Sequence, residues 1–396
     1  MNYNKRVILF LLAALNFTHI LDFMIMMPLG NYLMPYFSIN PRQFSFLVGA
    51  YTLSAAFSGF AAAFFVDRFD RKKLLLMAYG GFLVGTLFCG LAPSYITLLL
   101  ARIFAGIFGG MIGAQVLSII SDIFPYEERG KAMGSVMSAF AIASTLGVPF
   151  ALYIANAFSW HAPFLFVAVA GTGIYPFLYK YIPSMTHHME NREAEGPFHA
   201  LQQVVKNGRQ RLALLFSMLM MMGHFVIIPF INPFMEFNRG YSKMQTPMIY
   251  LVGGFSSFFA ANILGRLSDK YGKLPVFVIC LLASLGLVLL ITHLPYVAFP
   301  IVLSFFGIWF VLSTGRAVTA QAMLSNVVPA AQRGSFMSFN SSVQQLGTSM
   351  ASFIAGVVVT ADLDGKLIHF PRLGFLSVAI LLACFLIAVR IFRTNK

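Results

Sequence analysis

Charged side chains are scarce in this chain of 396 residues, because Asp, Glu, Lys and Arg together make up only 10% of it. Soluble domains carry about 25% charged residues, whereas 59% of this sequence is hydrophobic. A soluble fold of that composition would expose large apolar patches. The few charges are clustered between long uncharged stretches, as expected where each charge placed in hydrocarbon costs a few kcal/mol. The composition therefore indicates an integral membrane protein.

Cysteine is also rare, and the signatures of enzymes are missing. Cys89, Cys280 and Cys384 lie far apart within apolar segments, so none has the spacing of a metal site or a redox pair. The sequence contains no H-E-x-x-H, no phosphate-binding loop and no G-x-S-x-G motif. We therefore expect no enzymatic activity, no cofactor and no bound metal.

Acidic residues are outnumbered by basic ones, 13 to 27. A basic protein can bind nucleic acid, but no zinc-finger spacing and no basic helix with exposed aromatics supports that interpretation. Membrane proteins instead concentrate Lys and Arg in short cytoplasmic loops. With both termini in the cytoplasm, 20 of these residues lie inside, five lie outside, and Arg102 and Arg316 remain within spans. We predict a multi-pass protein of the inner (plasma) membrane, embedded in the lipid bilayer, with both termini cytoplasmic.

Twelve apolar runs are long enough to cross a bilayer, which takes about 20 residues. They form two sets of six, separated by the longest polar stretch of the chain. The predicted spans are 7–35, 44–66, 74–92, 95–124, 130–158, 161–182, 212–235, 247–268, 274–293, 297–326, 334–360 and 372–392.

The division of the runs predicts three parts. Residues 1–182 form an amino-terminal six-helix bundle and residues 212–396 form a carboxyl-terminal six-helix bundle. Residues 183–211 form a cytoplasmic linker. The apolar spacing between Pro197 and Leu212 is consistent with a short helix on the membrane surface or with a flexible tether.

The two sets resemble each other at two landmarks. Asp67–Lys72, after span 2, reads D-R-F-D-R-K, and Asp269–Lys273, after span 8, reads D-K-Y-G-K at an offset of 202 residues. The dipeptide Arg129-Gly130 opens span 5, and Arg333-Gly334 opens span 11 at an offset of 204 residues. These nearly equal offsets indicate duplicated halves, between which a site can open to either side of a membrane.

The loops resemble the signature of the major facilitator superfamily, roughly G-x-L-x-D-R-x-G-R-K between helices 2 and 3 with a weaker copy between helices 8 and 9. Gly265–Lys273 is close to that pattern, whereas the first copy has Ala63 and Asp70 in place of the two glycines. The resemblance covers the whole chain. It implies an all-α integral membrane fold of twelve transmembrane helices in two duplicated bundles. It also implies secondary transport, and because the chain has no nucleotide site, an ion gradient would supply the energy.

Three segments are similar to the drug:proton antiporter and sugar-efflux branch of that superfamily. They are Leu21–Pro28 in span 1, Arg102–Gly106 in span 4, and Leu146–Pro149 in span 5, where Val148 separates the glycine and proline of a G-P motif. The similarity implies proton-coupled efflux of small lipophilic or cationic compounds by alternating access.

The residues leave two alternatives open. One is a symporter or uniporter for a polar or anionic solute such as a sugar, carboxylate or amino acid, and the other is a non-transporting membrane binding protein. In the leading interpretation the partners are a small-molecule substrate, protons and lipid, with no nucleic acid, and the chain is a monomer.

Three residues are candidates for proton coupling. Asp22 is the only acid predicted well inside a span, and a carboxylate there must face water, pair with a cation or be protonated. We predict that Asp22 exchanges a proton and is the counter-charge of a cationic substrate; the alternative is a packing acid that never titrates. His19, one turn earlier, is a candidate proton relay or an ordinary hydrogen-bonded histidine. By the resemblance, Arg102 modulates proton release; otherwise its side chain reaches the outer interface.

Other polar residues within spans are candidate contacts for substrate. With Asp22, they are Gln115, His224, Asn232, Arg316, Gln321, Asn340 and Gln344. Arg316 has no counterpart in the first half, so it is either a contact for an anionic group or a structural ion-pair partner.

The loop charges are predicted to form a cytoplasmic gate. In the resembled fold their aspartates approach the positive N-terminal ends of spans 5 and 11, although the basic residues also serve as an orientation signal. The gate candidates are Asp67, Arg68, Arg71, Lys72, Arg129, Asp269, Lys270, Lys273 and Arg333.

Overall fold

The computed structural model describes residues 4–65, 68–186, 202, 204, 206–328 and 333–393. This part of the chain is almost entirely helical. The helices are α1 Lys5–Met26, α2 Gly30–Phe37, α3 Pro41–Phe65, α4 Arg71–Gly90, α5 Tyr95–Ile123, α6 Tyr126–Ile142, α7 Val148–Ala157, α8 Ala162–Tyr181, α9 Gly208–Phe225, α10 Ile228–Pro233, α11 Thr246–Tyr271, α12 Lys273–Thr292, α13 Phe299–Ser325, α14 Arg333–Val358 and α15 Phe370–Phe392. Strands β1, Thr360–Ala361, and β2, Leu367–Ile368, pair antiparallel between α14 and α15.

The helices account for the twelve predicted spans. Within the described residues, eleven helical segments are long and apolar enough to cross a membrane. The twelfth is α14, whose 26 residues correspond to about 39 Å at 1.5 Å per residue. Serine, asparagine and glutamine lower the hydropathy of α14, and it packs against α3 and α9 inside the protein. The predicted fold of two six-helix bundles is thereby confirmed. The predicted surface helix at 197–212 lies largely outside the described residues, and α9 begins within that segment at Gly208.

The first helix of each half is interrupted at corresponding positions in the two halves. Helix α1 ends at Met26 and α2 begins at Gly30, with Pro28 between them, whereas α9 ends at Phe225 and α10 begins at Ile228. Proline has no N–H to donate and so interrupts a helical ladder. The break frees the carbonyl of Pro28, which accepts a hydrogen bond of 2.9 Å from the Asn232 amide across the two halves.

The structure also contains two stretches of wider, π-helical winding. Ala143–Gly147 joins α6 to α7 in the fifth span and ends at the glycine of the G-V-P segment, and Phe234–Asn238 continues α10 in the seventh span. Such insertions shift side chains relative to a regular helix and are frequent at functional sites. With its break and its π-helical end included, the seventh span extends from Gly208 to Asn238.

The halves contact each other most extensively where α3 packs along α14. The Ser349 hydroxyl donates a hydrogen bond of 2.9 Å to the Gly49 carbonyl. A Cβ added to Gly356 would lie 2.4 Å from Ser45, so only glycine permits this approach. A second contact joins α11 to the segment before α7, where a Cβ on Gly254 would lie 2.4 Å from the Thr145 Cα.

Candidate proton-coupling site and inter-half cavity

Asp22 and Arg102 form an ion pair in the interior of the first half. The Arg102 Nη1 atom, from α5, donates to the Asp22 Oδ2 atom, from α1, over 2.7 Å, and both side chains are fully buried. The Tyr51 ring, from α3, lies 4.2 Å from the guanidinium carbon. An aromatic face at this distance attracts a desolvated cation. Three helices therefore hold one neutral, buried pair of charges.

The pair is joined by a single charge-assisted hydrogen bond. Among the described residues, Asp22 Oδ1 and the Nε and Nη2 atoms of Arg102 have no hydrogen-bond partner although they are buried. A bidentate arginine–carboxylate pair would satisfy two of these atoms. The geometry therefore leaves Asp22 with one free acceptor for a proton and leaves Arg102 with two free donors.

His19 lies one helical turn before Asp22. Its ring packs edge-on against Phe82 at a centroid distance of 5.4 Å, and neither ring nitrogen has a partner among the described residues. A Cβ on Gly109 would lie 3.1 Å from His19 Nε2 and 2.5 Å from the Tyr51 hydroxyl. Glycine at this position lets α5 approach both side chains.

A small cavity of about 50 Å³ lies between the halves and is lined by His19. The first half also contributes glycines of α5, including Gly113, and the second half contributes Ser341, Ser342 and Gln345 of α14. A water molecule needs about 10–15 Å³ of such space and two or more polar partners, so the cavity can hold a few water-sized groups. Asp22 is not part of its lining. The serines were not among the sequence candidates, although Asn340 and Gln344 beside them indicated a polar face on α14.

The second half has a buried histidine–arginine cluster. His224 stacks on the Trp309 ring at a centroid distance of 5.0 Å, and it lies 202 residues after Asp22, the offset of the repeated loops. Arg316 is 3% exposed. Its Nη2 atom donates to the Ser313 hydroxyl over 3.2 Å, whereas Nε and Nη1 have no partner among the described residues. No carboxylate is paired with Arg316 in the described part of the chain.

The remaining candidates have different surroundings. Gln115 is fully buried with its amide unpartnered among the described residues, and Gln321 is exposed. Asn340 is buried, and the Gln344 amide donates to the Ser217 hydroxyl of α9 within the second half. Asn232 bridges the halves through Pro28. The structure thus brings Asp22, Arg102 and His19 together, but it does not gather all the candidates into one site.

The gate candidates of the first half are tied to neighbouring elements of that half. Arg71 Nε donates to Asp122 over 2.5 Å, and the Lys72 ammonium lies 5.0 Å from the Tyr179 ring centre. Arg129 Nε donates to the Phe124 carbonyl over 3.0 Å, and Arg68 is exposed.

In the second half, Lys273 bonds to Asp269 and to Ser268, and the Lys270 ammonium lies near the Tyr271 ring. Asp67 and the side chain of Arg333 lie outside the described part of the chain. The contacts described for Lys270, Lys273 and Asp269 stay within their own half, so closure of the cytoplasmic side by these groups stays a prediction.

Glu236 is the functional candidate that sequence reasoning missed. Its carboxylate accepts hydrogen bonds of 2.5 Å from the Asn31 amide and 2.8 Å from the Thr246 hydroxyl. Asp22 is predicted to be the only acid well inside a span, and Glu236 lies at the end of one, because the seventh span continues past Met235 to Asn238. The signal available in the sequence was the apolar run Phe234-Met235 and Phe237 around the acid.

Two helical bundles of matching order, with buried charges and a polar cavity between them, define a membrane transport protein of the duplicated kind. Among the described residues, no group of three or more His, Cys, Asp or Glu side chains could hold a metal ion.

Comparison with known proteins identifies the family. The family model described as Major Facilitator Superfamily matches residues 12–352, and the chain therefore belongs to that superfamily. An uncharacterised MFS-type transporter of Bacillus subtilis (strain 168), YceJ, is 26% identical over 342 residues, which are 85% of each chain. The protein is accordingly a transporter and not an enzyme.

Solved structures share the fold at low sequence identity. A bacterial homologue of the human lysosomal transporter Spinster, in an inward-facing and occupied conformation, gives a TM-score of 0.75 at 16% identity, covering 100% of this chain and 98% of that one. A D-xylose-proton symporter gives 0.76 at 17% identity, covering 99% and 98%.

Proposed function

We propose that this protein is a proton-coupled secondary transporter that exports small lipophilic or cationic compounds by alternating access. In this proposal Asp22 is the proton-exchanging carboxyl, and the solute binds between the halves. The observation that carries the proposal is the fully buried Asp22–Arg102 pair beside a polar inter-half cavity. Orientation in an inner membrane with both termini cytoplasmic, and action as a monomer, belong to the same proposal.

Coupling follows from the cost of an isolated buried charge. If Asp22 took up a proton in the arrangement described, Arg102 would remain charged and buried without its counter-ion, which is strongly unfavourable. Proton uptake therefore requires a conformation in which water or solute reaches the guanidinium. The Tyr51 ring supports the cation during this exchange. Protonation of Asp22 and reorientation of the halves are in this way linked.

His19 provides the path between the cavity and the pair. Its ring lines the cavity, its nitrogens are unpartnered among the described residues, and it lies one turn from Asp22 on the same face of α1. An imidazole can accept a proton on one nitrogen and release one from the other. We assign His19 the role of proton relay.

The apolar part of the solute site is supported by aromatic contacts between the halves. The Phe23 ring of α1 lies 5.9 Å from the Phe225 ring of α9, next to Met218 and Met222 of the same helix. Methionine adapts to varied shapes, which suits a site for several lipophilic molecules. The direction of transport is taken from the resemblance to the efflux branch.

The test is transport in proteoliposomes with ethidium as the probe. We expect Asp22→Asn to exchange ethidium across the membrane but to lose its response to an imposed pH gradient, because the amide cannot exchange a proton. Asp364→Asn, an exposed acid in the loop between β1 and β2, is the matched control and keeps the response. An Asp22→Asn protein that still follows the pH gradient would disprove the coupling role.

An anionic solute is the second candidate, and Arg316 favours it. A buried guanidinium without a carboxylate partner among the described residues suits a carboxylate or phosphate group. The same liposome assay separates the candidates. Unlabelled benzoate suppresses transport of the probe if the site takes anions, and Arg316→Gln removes that competition.

A further inference from the structure

Glu236 lies where the two halves meet at the predicted outer end. It belongs to the π-helical segment Phe234–Asn238, and its side chain is half-buried. The Asn31 amide that donates to Glu236 belongs to α2 of the first half, and Thr246 begins α11 of the second half. Each carboxylate oxygen thus accepts one hydrogen bond, one across the halves and one within the second half.

Two further contacts surround this bond. The Asn232 amide donates to the Pro28 carbonyl across the halves over 2.9 Å. The Lys243 ammonium, from the segment before α11, lies 4.5 Å from the centre of the Tyr32 ring of α2. We call Asn31, Tyr32, Asn232, Glu236 and Lys243 the outer latch. Its three contacts across the halves, Asn31–Glu236, Asn232–Pro28 and Lys243–Tyr32, each join residues more than 200 positions apart.

The titratable neighbours of Glu236 are few. Tyr32 of α2, Lys243 before α11 and Tyr250 of α11 interact with it electrostatically. Arg239 is directed elsewhere, with its guanidinium 4.7 Å from the Phe234 ring centre. Lys243 is therefore the cation among these neighbours, and its attraction to Glu236 depends on the charge of the carboxylate.

We propose that Glu236 is a second proton-binding site of the transport cycle, whose ionised form holds the outer latch closed and whose protonation releases it. An ionised carboxylate only accepts hydrogen bonds, which matches the amide and hydroxyl donors that face it. Protonation turns one of its oxygens into a donor, removes one accepted bond and leaves Lys243 without its counter-charge. Acid outside the cell therefore favours opening of the outer side. This goes beyond the role proposed for Asp22, since it places a separate proton event at the outer contact.

The latch can be tested through a thiol placed in the contact between α3 and α14. Ser45 is 1% exposed, and Gly356 of the other half covers it, so Ser45→Cys becomes accessible only when the outer side opens. The three native cysteines are buried. Any maleimide labelling of these cysteines is measured in the parent chain, which lacks the Ser45→Cys substitution, and is subtracted. The full-length protein in proteoliposomes is labelled from outside with a membrane-impermeant maleimide at about pH 5.5 and at about pH 8.

We expect Ser45→Cys to be labelled about tenfold faster at the acid pH, after correction for thiol reactivity with a free cysteine peptide, as loss of one charge-assisted hydrogen bond would give. Glu236→Gln in the Ser45→Cys chain, which mimics the neutral acid, should be labelled rapidly at both pH values. Asp364→Asn in the same chain should keep the pH dependence.

Two results would overturn the proposal: labelling of Ser45→Cys that does not change with pH, or an unchanged pH dependence in Glu236→Gln. The Asp22→Asn variant distinguishes the two proton proposals. When Asp22→Asn is combined with Ser45→Cys, maleimide labelling should keep its pH dependence, even though transport by this variant no longer responds to the pH gradient. Thermal unfolding of each variant in detergent verifies that the chains compared are folded.

Discussion

At the scale of single residues, the chain carries two buried arginines with opposite surroundings. Arg102 is paired with Asp22 and covered by Tyr51, whereas Arg316 interacts electrostatically with His224 and has no carboxylate partner among the described residues. Breaking a buried pair is costly because the remaining charge keeps its desolvation penalty, while removing both charges is much less so. The pair is therefore a structural element as well as the proposed site of proton exchange.

A double-mutant cycle measures this dependence. We expect Arg102→Gln alone to destabilise the protein by about 3–5 kcal/mol, because Asp22 is left buried without its cation. Asp22→Asn combined with Arg102→Gln should recover most of that loss, since both remaining groups are neutral. The measurement is unfolding in detergent monitored by circular dichroism. Losses that simply add in the double variant would contradict the ion pair.

At the scale of elements, Asp70 shows how a departure from the family pattern is accommodated. The position is glycine in the resembled signature, but here Asp70 has a negative φ and caps α4 through the Lys72 N–H. Its carboxylate also accepts from the Ser184 hydroxyl over 2.5 Å and from the Met185 N–H over 2.9 Å. The loop turn is thus replaced by a helix cap that also fixes the start of the linker.

The ionised form of Asp70 is the one that the fold stabilises. Burial raises the pKa of this carboxyl, but the bonds from Ser184, Met185 and Lys72 and the nearby charge of Lys73 outweigh burial and hold its pKa below the usual value. A lowered pKa contributes stability above the ordinary aspartate pKa of about 3.9, and that contribution is lost as the pH falls through the folded-state pKa.

We therefore expect Asp70→Asn to lower the free energy of unfolding by about 1 kcal/mol at neutral pH. The difference from the parent should shrink below about pH 4, where the native carboxyl becomes protonated. Thermal unfolding across a pH series provides the measurement, with Asp364→Asn as the control for an exposed acid. If the difference in unfolding free energy between Asp70→Asn and the parent persists in acid, the charge of Asp70 does not contribute to stability.

At the scale of the whole molecule, the two halves share an apolar core that includes Phe44 and Phe230, and they also enclose a small cavity. The α3–α14 contact runs from Ser45 and Gly356 at one end to the Phe60 and Phe339 rings, 5.7 Å apart, near the other. The cavity lined by His19 lies beside this seam. Small residues such as Gly49 and Gly356 let the halves approach closely between these aromatic contacts.

Filling the cavity tests whether solute or protons use it. A Cβ on Gly113 meets nothing within 4 Å, so Gly113→Leu should fold and occupy the cavity. We expect it to lose most of its ethidium transport while its melting temperature stays near that of the parent. The matched control is Gly173→Leu, at an exposed position of α8 with equally open space. Normal transport by Gly113→Leu would show that the cavity is not on the route.

The fold was predictable from the sequence because length and apolarity alone specify spans in a bilayer. The ion pair between Asp22 and Arg102 was not predictable. The two residues are 80 positions apart in the sequence, and only the packing of α1 against α5 makes them neighbours. Glu236 was missed because the predicted seventh span ended at residue 235, and π-helical winding beyond a proline has no clear sequence signature. Ser341 and Ser342 were missed because serine is equally common at plain helix contacts.

The loop between α14 and α15 is fastened to the same end of the molecule as Glu236. Asn238 donates to the Leu367 carbonyl and accepts from the Leu367 N–H, both over 2.9 Å, while Leu363 at the tip of the hairpin is fully exposed. Any movement of the seventh span is thereby transmitted to a protruding epitope. An antibody fragment selected against this hairpin would act as a conformational clamp, and would arrest the transporter without entering its solute pathway.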